Sequence, residues 1–75
     1  MKHERITVDP AVMVGKPCIK GTRITVDHIL RELGAGTSIN ELLLAHPRLA
    51  RDDILAAMTY AADVLALEEI SFGTP

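Results

Sequence analysis

The side chains of this 75-residue chain best suited to hold a ligand are cationic. Lys16, Lys20 and Arg23 cluster around turns in the amino-terminal third, and Arg48 and Arg51 flank the start of a later helix. Lysine and arginine in such places make charge-assisted contacts to phosphate oxygens, and the first turn of a helix can carry an arginine to a base edge in the major groove. Their plainer use is as solvated surface charge, which Asp52 and Asp53 beside Arg51 favour at the helix start. For the Gly21-Thr22-Arg23 triplet the default role is conformational, with a positive φ at the glycine.

Catalysis needs a constellation, and none is spaced into the chain. His3, His28, His46, Cys18 and Asp63 show no triad or metal-binding spacing, and Gly15, Gly21, Gly34 and Gly36 form no nucleotide-binding loop. A single cysteine excludes an internal disulfide and a paired-thiolate metal site. The expectation is a protein that is not an enzyme and carries no metal or cofactor. His28 falls opposite the apolar stripe of its helix and reads as a surface residue, His46 beside Pro47 as a helix-end residue, and Cys18 as a small buried apolar one.

Charge narrows the partners. Residues 1–31 hold six basic and three acidic groups, a balance of +3, whereas 32–75 hold two and seven, a balance of −5. A polyanion would meet a local patch rather than a basic body. Tyr60 and Phe72 are the only aromatics, too few to make a stacking platform for single strands. The amino terminus is too polar for a signal peptide and no apolar run is long enough to span a membrane, so a soluble, unprocessed protein of the reducing cytoplasm is expected.

These residues must be positioned by one small core, because a chain this short has room for no second one. Residues 1–24, rich in β-branched residues and punctuated by Pro10, Gly15, Pro17 and Gly21, read as short extended segments or a β-hairpin, with strands at Arg5–Val8 and Cys18–Ile24 and no helix. The strands could pair with each other or across a dimer axis. From 25 to 70 the period becomes helical. Thr25 N-caps a first helix with Val26, Ile29, Leu30 and Leu33 on one face, which Gly34 ends. Ser38 and Glu41 stand at capping-box spacing for a second helix over 39–46, stopped by Pro47. The third runs from Arg51 or Asp52 to about Glu69, with Ile54, Met58, Ala61 and Leu65 on its main stripe, and 71–75 form a tail. The fold class expected is mainly α: a three-helix, helix-turn-helix-like domain.

The third helix has apolar residues beyond that stripe: Leu55, Ala62 and Ala66 on one side, Tyr60, Val64 and Leu67 on the other. A thin core with surplus apolar surface points to a homodimer, with Leu55, Tyr60, Ala62, Val64 and Leu67 as its interface.

The run Gly15-Lys16-Pro17-Cys18-Ile19-Lys20-Gly21-Thr22-Arg23-Ile24-Thr25-Val26, followed by Ile29-Leu30, Gly36-Thr37-Ser38, His46-Pro47-Arg48-Leu49 and Asp53 to Ala61, closely resembles the bacterial and archaeal family called domain of unknown function 433, over roughly residues 4–67. The resemblance implies a helix-turn-helix-like fold, frequent dimerisation and, for many members, a role like that of VapB-type antitoxins in type II toxin-antitoxin pairs. The partners implied are a PIN-like ribonuclease toxin and double-stranded operator DNA. The family offers no catalytic residues to carry over. This chain departs from the pattern at Ala50, where a Thr or Ser usually caps the last helix; the loss should cost on the order of 1 kcal/mol unless Asp52 takes over. A rival from another class stays open: a protein-interaction module that binds no nucleic acid, its acidic half (Asp52, Asp53, Asp63, Glu68, Glu69) covering the basic cleft of a nuclease.

Overall fold

The computed structural model describes residues 3–71, with side chains as far as Leu67. It is mainly helical. Strands β1 (Ile6–Thr7) and β2 (Cys18–Ile19) precede helices α1 (Val26–Gly34), α2 (Ile39–Ala45) and α3 (Arg51–Ser71). The strands pair antiparallel within the chain, Ile6 opposite Ile19 and Thr7 opposite Cys18. They are shorter than the β-branched runs suggested, because the backbone turns at once: Gly21 takes φ +80°, the Thr22 hydroxyl donates to the Ile19 carbonyl at 2.8 Å and accepts the Ile24 amide at 3.0 Å. Where no helix was expected, Met13–Gly15 form a single 3₁₀ turn.

The helix ends follow local rules. The Thr25 hydroxyl accepts the His28 amide at 3.2 Å. Ser38 and Glu41 close both halves of the capping box, at 2.8 and 3.1 Å. Helix α1 ends at Gly34, as expected, while the left-handed position of its ending falls two residues on, at Gly36 with φ +99°. The Gly36 amide reaches the Leu33 carbonyl at 3.1 Å and the Thr37 amide that of Glu32 at 3.0 Å. This is a Schellman ending, which needs its glycine one residue past the cap. Helix α2 stops at Ala45, one residue short of the expected end, with His46 as its C-cap.

At the start of α3 it is Asp53, not Asp52, that supports the cap position, and it does so by holding the amide of Ala50 itself, the half of a capping box that needs no Thr or Ser hydroxyl. One oxygen of Asp53 accepts the Ala50 amide at 2.9 Å, the other the Arg5 guanidinium at 2.9 Å. Asp52 is instead 3.6 Å from Arg5. The carboxylate is buried, and a buried carboxylate needs such partners. Through it the chain before β1 is tied to α3.

The core gathers Ile19, Val26, Ile29, Leu42, Leu49, Ile54 and Ala57. Cys18 is fully buried, as its apolar reading requires, and burial pushes its thiol above the ordinary value, with Asp27 adding to the rise. Leu65, expected on the core stripe of α3, is 57% exposed, because the core ends before it; Ala57 takes a fully buried place on that helix instead. Of the 71–75 tail only Ser71, closing α3, falls within the described residues, and the side chains of Glu68 and Glu69 lie outside them. Among the described residues no helix is long and apolar enough to cross a membrane.

Candidate nucleic-acid interface

Folding brings three of the five candidate cations to one place. Lys20, Arg23 and Arg48 line an open cleft of about 490 Å³, together with Thr7, Asp9, Val12, Gly21 and Thr22. The turn at Gly21 sets Lys20 and Arg23 on its two sides, and its backbone is held by the Thr22 hydroxyl. Arg48 comes from the α2–α3 connection, where buried Leu49 anchors the chain and its amide donates to the His46 carbonyl at 2.9 Å. All three cations are exposed, and among the described residues none is paired with a carboxylate. Asp9, the acidic residue of the cleft, accepts the Ala11 amide at 2.9 Å.

The other two candidates go elsewhere. Lys16 stands 3.6 Å from Asp27, with Arg31 at 3.9 Å from the same carboxylate. Asp27 is held below the ordinary carboxyl value by a hydrogen bond from Thr25 first, then by Lys16 and Arg31. Arg51 is exposed at the first position of α3 and does not line the cleft.

Beside α1 lies a second feature, an apolar groove of about 400 Å³ between α1 and the later part of α3, walled by Val26, Leu30, Tyr60, Ala61, Val64 and Leu65 and edged by Lys16, Pro17 and Asp27. The five residues expected at a dimer interface divide here. Tyr60 and Val64 line the groove, with Tyr60 also packed against the core, whereas Leu55, Ala62 and Leu67 are exposed outside it. Periodicity could not separate the two flanks, because both are apolar.

The histidines, unremarkable by spacing, find partners. His28 is exposed, as expected, and its ring meets that of His46 edge to face, centroids 5.5 Å apart. His3 lies edge-on to Tyr60 at 5.1 Å, with its Nε2 3.0 Å from an Asp63 oxygen but outside hydrogen-bond alignment. No sequence signal announces either meeting, since the partners are far apart along the chain.

Residues 6–61 match the family described as "Protein of unknown function (DUF433)". The chain belongs to that family. A crystal structure of a DUF433 member protein from Anabaena variabilis ATCC 29413 has the same fold, with a TM-score of 0.79 at 27% identity over 93% of this chain and 69% of that one. Among curated proteins, uncharacterized protein y4eO of Sinorhizobium fredii is 34% identical over 59 residues, 79% of this chain and 27% of that one. An uncharacterized protein of Archaeoglobus fulgidus is 68% identical over 28 residues, 37% of this chain and 78% of that one. The matched segment thus spans about a quarter of the Sinorhizobium relative. The DUF433 match contains every residue of the basic cleft, whereas Val64 and Leu65 of the groove lie beyond it.

Proposed function

We propose that this DUF433 chain is a DNA-binding protein of the antitoxin kind, whose basic cleft holds the phosphate backbone of duplex operator DNA. The supporting observation is the convergence of Lys20, Arg23 and Arg48, from two separate connections, on one solvent-open cleft where they outnumber its one acidic residue, Asp9, and where none of them is ion-paired among the described residues. Arg51 at the exposed start of α3 is the candidate for base contact. The chain acts as a homodimer through the α1–α3 groove, so that its two-fold axis matches a palindromic site. In this reading it acts by binding rather than by catalysis, in the cytoplasm.

Three phosphate contacts per subunit give a shallow salt dependence, with log K against log salt falling at a slope of about −3 per subunit. Fluorescence anisotropy with duplex DNA from the upstream promoter, run as a salt series, measures it. The Arg23→Ala, Arg48→Ala double variant should lose binding with its melting curve intact. Absence of binding by the wild-type chain at low salt would overturn the reading.

A second reading rests on its own observation, the apolar groove with exposed Leu65 in its wall. On that reading the chain docks on a partner protein such as a PIN-like ribonuclease and leaves nucleic acid alone. The same arginine variant then binds the partner as wild type does, which separates the two.

A further inference from the structure

Two imidazoles that the proposal above does not use meet in the fold. His28, in the first turn of α1, and His46, at the end of α2, stand edge to face with ring planes at 89°. They line a pocket of about 280 Å³ with Met13, Arg23, Ile24 and Thr25. Arg23 also lines the cleft that holds Lys20 and Arg48, so this one residue borders both pockets.

The surroundings of the pair decide which ligand it suits. Among the described residues lining the pocket, Arg23 is the one with a permanent charge. On α1, Asp27 is engaged by Lys16 at 3.6 Å and Arg31 at 3.9 Å, and Glu32 accepts the Thr37 hydroxyl at 3.4 Å. On α2 the charged residue is Glu41, which closes the capping box with Ser38 at the far end of that helix, and just past His46 stands Arg48, which lines the basic cleft. Met13 and two imidazoles make a donor set for a soft cation, but a guanidinium in the same pocket repels one. Histidine changes charge between about pH 5 and 8. Two protonated rings in contact beside an arginine repel each other, and a phosphate among them relieves that repulsion. Phosphate binding and imidazole protonation therefore favour one another by linkage.

We propose that Arg23, His28 and His46 form a phosphate subsite that prolongs the Lys20–Arg48 cleft, so that a nucleic-acid backbone gains contacts as the two rings protonate. The inference rests on the nucleic-acid reading of the cleft. A fluorescein-labelled duplex of about 24 base pairs, titrated with the full chain in salt series near pH 8 and near pH 5.5, tests both and tells them apart. Each added phosphate contact steepens the log K against log salt slope by about 0.9, so the slope at the lower pH should be steeper by about 1 to 2. The His28→Gln, His46→Gln double variant should bind as wild type near pH 8 and lose the increment near pH 5.5, while His3→Gln keeps it. His28→Gln alone, at an exposed position, should lose part of the increment and serves if the double variant melts early. Wild-type binding with equal slopes at both pH values, or an increment that survives in the double variant, overturns the subsite alone. No duplex binding at either pH overturns the cleft reading and the subsite with it.

Discussion

Helix α3 is one continuous helix with two different surroundings. Its first half, from Arg51 to Tyr60, carries fully buried Ile54 and Ala57 and is tied down by Asp53, which reaches back to Ala50 and across to Arg5. Its later part has the same apolar character, yet Leu65 is 57% and Leu67 55% exposed. The difference comes from what lies opposite. α1 and α2 are short, and the core they form is used up by the first half, so the second half keeps apolar surface that nothing among the described residues covers. Like sequence along one helix thus serves packing at one end and leaves a surface at the other.

The sharpest contrast is between Ile54 and Leu65. Ile54→Ala should cost about 3 kcal/mol in urea unfolding, because a fully buried side chain leaves a cavity among short helices that cannot collapse freely. Asp53→Ala should cost about 2 kcal/mol by the same measurement, since it strands the Ala50 amide and frees Arg5. Leu65→Ala should change the unfolding of the dilute chain by less than about 0.5 kcal/mol. A cost as large as that of Ile54 would mean that the second half is covered within the subunit, and the contrast would be gone. Leu65→Asp carries the comparison into assembly: sedimentation at micromolar concentration should show the wild-type dimer and a folded, monomeric variant.

The smallest effect concerns a helix end on the surface. The Ser38 amide and hydroxyl hold the Glu41 carboxyl below its ordinary value of 4.5. A carboxyl whose folded value is depressed adds stability above its unfolded value, and that stability is lost as pH falls through the folded one. Wild type and Glu41→Ala should therefore differ slightly in melting temperature at neutral pH and converge as the pH drops well below 4.5. A difference that persists in acid would show that Glu41 acts through packing and not through its charge.

The three helices and most of their ends were legible because each is written within a few residues. Thr25 with His28, and Ser38 with Glu41, are bonds between neighbours three positions apart. What the sequence left open was also local in kind. Gly34 and Gly36 both suit a helix end, and only the backbone bonds of the Schellman turn choose between them. Asp52 and Asp53 both suit a helix start, and burial beside Arg5 chooses Asp53. Of the candidate site, the residue types were readable but the grouping was not: Lys16 belongs to the edge of the apolar groove, and Lys20, Arg23 and Arg48 share a cleft without Arg51.

By itself the chain determined its helical class, its caps and its family, since hydrogen bonds between near neighbours and the period of apolar residues are properties of short segments. Only the tertiary structure decided that Arg5 meets Asp53, that His28 meets His46, and which basic side chains open onto one cleft. Those meetings depend on how β1–β2 and three helices settle around Ile19, Ile29, Leu42 and Ile54, a sum of many weak contacts that no single residue or spacing carries.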